Sequence, residues 1–133
     1  MGRLFQLRRD GSILAFVGGP AFGGGPFLTT WAQLDNNPAT IAIAAGAKGL
    51  YQLHNDGSIW EFAGGAPPVY NWNQVDNNRA TSAIAVGGDL YQLHRDGSIW
   101  QYTGTPFTGW RQLDNNPATT AIVATTFASP IIH

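Results

Sequence analysis

The chain has 133 residues, seven Lys and Arg against eight Asp and Glu, a formal net charge of −1 and only 11% charged side chains. That balance offers no basic footprint for nucleic acid and no polybasic signal for a membrane, and the apolar runs are too short for membrane insertion. With no Cys there are no disulfides or thiolate metal sites, while 17 Gly and 8 Pro predict frequent turns in place of long helices.

In chain order the sequence falls into units that repeat. The first β-type segment opens LFQLRRDGSIL (4–14), in which Asp10-Gly11 predicts a tight hairpin turn because Gly accepts positive φ. A long loop from Gly18 to Thr30 leads to WAQLDNNPAT (31–40). The small-residue run Ile41–Ala45 follows, apolar on both sides as in a strand covered on both faces. The second unit continues as LYQLHNDGSIW (50–60), a loop from Gly64, WNQVDNNRAT (72–81) and SAIAVG (82–87). The third reads LYQLHRDGSIW (90–100), a loop from Gly104, WRQLDNNPAT (110–119) and TAIVAT (120–125). Within the middle unit the predicted strands are Ile41–Ala45, Leu50–His54, Ser58–Phe62 and Trp72–Val75. Alternation puts Leu50, Gln52 and His54 on one face and Tyr51 and Leu53 on the other.

A four-stranded unit of roughly 40 residues, repeated, predicts an all-β protein with β-propeller blades. A β-sandwich would not explain why whole units recur. The expected organisation is a single domain, 1–133, with blades at about 3–38, 39–79 and 80–118, a closing strand 119–124 and a tail 125–133. The first blade lacks its innermost strand, and the chain ends on an extra one. Propellers typically have about four to eight blades, so three blades predict half of a six-bladed ring, completed by a homodimer in which each chain lends its last strand to the other. The tail, 125–133, is expected to be loosely held, so that deleting 127–133 should cost little stability.

Antiparallel connection gathers the second-to-third and fourth-to-first loops on one rim. That rim carries His54, Asn55, Asp56, His94, Arg95, Asp96 and the DNN triplets ending at Asn37, Asn78 and Asn116. Fans of planar donors and acceptors beside an apolar ring suit sugar hydroxyls. The candidate ligand-binding residues are therefore Asn37, Asn78, Asn116, His54, His94 and Arg95, with Trp60 and Trp100 nearby. Packing between blades is the first reading of those two Trp, and turn closure that of Asp10, Asp56 and Asp96. The opposite rim offers Phe22, Phe27, Tyr70 and Phe107. Gln6, Gln52 and Gln92, and Gln33, Gln74 and Gln112, recur in every unit and predict a hydrogen-bonded ladder. Catalysis is not expected: Glu61 aligns with Ala15 and Gln101, His54 and His94 align with Arg8, and no nucleophile or metal-ligand motif occurs. No cofactor or metal is expected either.

The pattern W-x-Q-L-D-N-N, A-I-A-x-G, L-Y-Q-L-x-x-D-G-S-I-W is carried here by Trp31, Trp72 and Trp110, Gly46 and Gly87, Tyr51 and Tyr91, and the DGS turns. It resembles the repeats of the tectonin and tachylectin group of β-propeller lectins over nearly all of residues 3–124. The pattern departs at Leu14, where the other units have Trp, and after Ala124. The resemblance implies carbohydrate binding at shallow clefts between blades, with glycans as partners. A structural or protein-interaction propeller scaffold is the alternative. Met1-Gly2-Arg3 leads into no signal-peptide core, which slightly favours the cytoplasm and leaves the compartment otherwise open.

Overall fold

The computed structural model describes residues 4–17, 19–20, 27–28, 30–66 and 68–126. Phe22, the side chain of Phe27 and the segment 127–133 lie outside the described residues, so the expectations placed on them are not taken further. The strands are β1 (Phe5–Leu7), β2 (Ser12–Phe16), β3 (Gly19–Pro20), β4 (Phe27–Leu28), β5 (Trp31–Asn36), β6 (Thr40–Gly46), β7 (Gly49–His54), β8 (Ser58–Ala66), β9 (Val69–Asn77), β10 (Thr81–Val86), β11 (Leu90–His94), β12 (Ser98–Tyr102) and β13 (Trp110–Asn115). No helix occurs among the described residues. The strands form antiparallel sheets β1-β2-β5, β6-β7-β8-β9 and β10-β11-β12-β13, and β3 and β4 make a short separate ribbon.

Local chemistry explains the hairpins. Asp56 Oδ1 accepts from Ser58 N at 2.9 Å and from Ser58 Oγ at 2.6 Å, and Asp10 and Asp96 repeat both bonds with Ser12 and Ser98. Gly57 sits at φ 87°, with Gly11 and Gly97 alike. Each of these glycines lies directly beneath the DNN turn of its own sheet. The third and fourth strands of the middle sheet are longer than their sequence predicts. Pairing runs on from Phe62↔Trp72 through a register shift to Ala66↔Val69, with Gly65 at φ 125° making the irregular step.

The sheets stack by a repeated face-to-face joint. Between the first and second, Ile13, Leu34, Phe5 and Leu7 meet Leu50, Ile43, Phe62 and Trp72. Between the second and third, Tyr51, Leu53, Ile59 and Val75 meet Leu90, Ile84, Tyr102 and Trp110. These are equivalent positions in successive units, and burying each large side chain is worth about 1.5–3 kcal/mol. The first strands of the four-stranded sheets, β6 and β10, also touch. A Cβ at Gly46 would stand 2.8 Å from Val86 O, and one at Gly87 would stand 2.4 Å from Thr125 O. Residues 119–126 therefore continue past β10 as β10 continues past β6. They form no strand in the single chain. Among the described residues the row of sheets is open at both ends.

Candidate functional site

The joints between sheets hold a polar set inside their apolar packing. Gln52 Nε2 donates to Asp35 Oδ2 of the preceding sheet at 2.9 Å, and Thr40 Oγ1 donates to Gln52 Oε1 at 2.5 Å. His54 Nε2 meets the same Gln52 oxygen at 2.8 Å. The next joint repeats this set with Gln92, Asp76, Thr81 and His94. Gln52 and Gln92 are thus hydrogen-bonded as expected, each within its own joint and not to one another, whereas Gln6 Oε1 accepts from Arg8 Nε at 3.4 Å. Gln74 and Gln112 instead donate to backbone oxygens of their own strands, Asp76 O and Asp114 O, at 3.3 Å each. Sequence reasoning missed Thr40 and Thr81, whose signal is the Thr closing each DNNxAT block. It also missed the bond from Tyr51 Oη to Glu61 Oε2 at 2.8 Å, which together with burial raises the Tyr51 pKa, burial being the larger cause.

The structure puts the candidate rim residues to two uses. Asn37, Asn78 and Asn116 each turn Oδ1 back onto the backbone, accepting from Ala39, Ala80 and Ala118 N at 2.9 Å. This is the turn-closing bond typical of Asn, and it leaves the Nδ2 donors unengaged. His54 and His94 are buried and stack on Trp60 and Trp100 with ring centroids 5.6 and 5.5 Å apart. The half-buried indoles in turn donate from Nε1 to Ser58 and Ser98 Oγ at 3.0 Å, extending the Asp56 and Asp96 turn bonds. Arg95 is exposed with an unbonded guanidinium, and its backbone N donates to Ala80 O at 2.8 Å. The first two DNN turns thus bridge their own hairpins and the next sheet's, through Asn55 N to Ala39 O and Arg95 N to Ala80 O. Around one such bridge lie the exposed Asn77, Asn78, Arg79, Arg95 and Asp96. Among the described residues no group of three His, Cys, Asp or Glu gathers to hold a metal ion.

Burial lowers the pKa of His54 and His94 below the ordinary 6.5, the nearby carboxylates opposing it less strongly. The hydrogen bonds from Ser58 and Ser98 lower those of Asp56 and Asp96. The unfolded chain therefore binds protons near pH 6.5 that the folded chain refuses, so the imidazole contribution is present above that pH and is lost as pH falls. The melting temperature should drop between about pH 7.5 and about pH 5.5, and the drop should shrink in a His54→Gln/His94→Gln variant. An equal drop in that variant would assign the acid sensitivity to other groups.

A cleft of about 930 Å³ opens between the first two sheets, lined by Phe5, Val17, Leu34, Leu50, Phe62 and Tyr70 among others. It faces the rim opposite the DNN turns, since the β6–β7 turn and Gly64 and Gly65 also border it. Tyr70 packs on Phe62 with centroids 5.9 Å apart, whereas Phe107 is exposed. Trp72 Nε1 donates to Leu34 O at 3.3 Å, while the equivalent Trp110 Nε1 is buried without a partner and Phe107 N bonds Val75 O. No family model, curated protein or solved structure matches this chain.

Proposed function

We propose that the chain is a carbohydrate-binding β-propeller module, with its sheets as blades and its glycan sites at the clefts between neighbouring blades. In this reading three blades are half of a six-bladed ring that a second copy closes as a homodimer. The repeated joint supports the ring: each sheet packs on the next through equivalent residues, so one rotation generates the row. The observation that carries the binding reading is the bridged rim, where Asn78 Nδ2 and the Arg95 guanidinium stand unbonded on turns joined by the Arg95 N to Ala80 O bond, and the half-buried Trp100 stacks on His94, the residue before Arg95. Amide, guanidinium and indole are the groups that grip sugar hydroxyls and ring faces.

One observation favours the alternative, a scaffold without a sugar ligand. The Asn Oδ1 atoms and both imidazoles are already engaged within the chain. A glycan array separates the two readings, since binding to a sugar class supports the lectin and silence supports the scaffold. If a sugar binds, an Arg95→Ala/Trp100→Leu variant should bind it at least about tenfold more weakly while keeping its circular dichroism. The fold already accepts Leu at the equivalent position, Leu14. Unchanged affinity would move the site to the aromatic cleft.

A further inference from the structure

The open ends of the row are complementary halves of one joint. Leu4 is 58% exposed where its equivalent Leu90 is 0%, and Leu113 is 48% exposed where Val75 is 2%. The polar set is split in the same way. Asp35, Gln52 and Thr40 close the first joint, and Asp76, Gln92 and Thr81 close the second. The third set has Asp114 and Thr119 at one end of the chain and Gln6 at the other, with Asp114 exposed. The backbone repeats the pattern. Asn55 N donates to Ala39 O and Arg95 N to Ala80 O, each at 2.8 Å, while the third pair, Arg9 N and Ala118 O, is not made among the described residues. Finally, β1 is a sheet edge where β7 and β11 are covered by β6 and β10.

Resting on the ring reading above, we propose that residues 119–125 of one copy add as a fourth strand to the free edge of β1 in a second copy, and that Asp114 and Thr119 of the first close on Gln6 of the second. The register follows from the internal sheets. Thr40↔His54 and Ala45↔Leu50, like Thr81↔His94 and Val86↔Leu90, transpose to Thr119 opposite Arg8 and Ala124 opposite Leu4. Strand addition pairs backbone groups that are costly to leave open in a buried setting, and the apolar faces supply specificity. A cavity of about 350 Å³ lined by Tyr91, Ile99, Leu113, Ile122 and Val123 is where the incoming sheet packs. Asp35 and Asp76 lie close enough to act on His54 and His94 electrostatically. Arg8 holds the equivalent place in register, and in the single chain its Nε donates to Gln6 Oε1 at 3.4 Å. A two-fold axis satisfies both ends of both chains at once.

The absence of Cys gives a direct test. Leu4→Cys and Ala124→Cys proteins, refolded together and oxidised, should form a covalent dimer, because residues opposite one another across antiparallel strands have Cα atoms about 4.5–5.5 Å apart, within the span a disulfide bridges. Neither protein alone should do so, nor should Leu4→Cys with Thr120→Cys, at the far end of the same strand. Light scattering on the unmodified protein should give twice 14.2 kDa. Asp114→Ala changes a side chain exposed in the single chain, and should weaken the dimer about tenfold. A dimer mass without the Leu4–Ala124 link overturns this joint and leaves the ring reading standing. A folded 14.2 kDa monomer, or an assembly larger than two chains, overturns both. The glycan array reads the lectin proposal separately.

Discussion

Alanine at Gly57 is expected to lower the melting temperature by roughly 10–20 °C, whereas alanine at Gly88 should leave it unchanged. Gly57 sits at φ 87°, where an L side chain costs about 1–2 kcal/mol. Its added Cβ would also stand 2.0 Å from Asn78 O and 2.8 Å from the Arg79 Cα. Both atoms are backbone, so no rotamer change relieves the collision, and the DNN turn must lift off the hairpin. That turn also carries the Arg95 N to Ala80 O bond, so the disturbance reaches the next sheet. Gly64 isolates the conformational part, since it has φ 84° with nothing within 4 Å of an added Cβ. Gly64→Ala should cost only the strain, about 1–2 kcal/mol, and Gly88, with neither constraint, nothing. Thermal melts of the three variants check the series. A Gly57→Ala loss no larger than that of Gly64→Ala would show that the close approach of the two turns contributes nothing.

The same positions show what the sequence made legible. Asp-Gly needs φ above zero at one place and supplies it there, so the hairpins at Gly11, Gly57 and Gly97 could be read directly. Strand ends could not, because Gly64 and Gly65 suggest a loop and the pairing continues past them to Ala66↔Val69. Alternation already put Gln52 and His54 on the face shared with Leu50, and that face is buried in the joint. Their polarity still drew a ligand-binding reading for His54 and His94. The missing information was the partner: Asp35 and Asp76 read as turn formers, and only the stacking of sheets brings them to Gln52 and Gln92. The candidate Asn residues divide within a single side chain, with Oδ1 closing the turn and Nδ2 unengaged. No one-dimensional pattern separates those roles.

Replacing Gln92 by Leu is expected to cost about 3–5 kcal/mol, a large share of the roughly 5–15 kcal/mol that holds a domain folded. The side chain is almost wholly buried, and Leu is similar in size and more apolar, so packing alone predicts a small change or a gain. The loss arises in what Gln92 leaves behind. Its Nε2 donates to Asp76 Oδ2 at 2.8 Å, and its Oε1 serves both Thr81 Oγ1 and His94 Nε2. Without it a buried carboxylate, a hydroxyl and an imidazole face one another with no amide between them. The carboxylate dominates, because removing one partner of a buried charge strands the other at full desolvation cost. A second substitution distinguishes this from simple loss of packing. Asp76→Leu removes the stranded charge, so Asp76→Leu/Gln92→Leu should be more stable than Gln92→Leu alone by about 1–3 kcal/mol. Gln112→Leu, at an exposed position whose amide reaches only its own strand at 3.3 Å, should lie within about 0.5 kcal/mol of the parent. Urea unfolding of the four variants gives all these differences. Additive losses in the double variant would mean that Asp76 and Gln92 do not depend on one another, and the polar joint between the second and third sheets would then hold through its apolar faces alone.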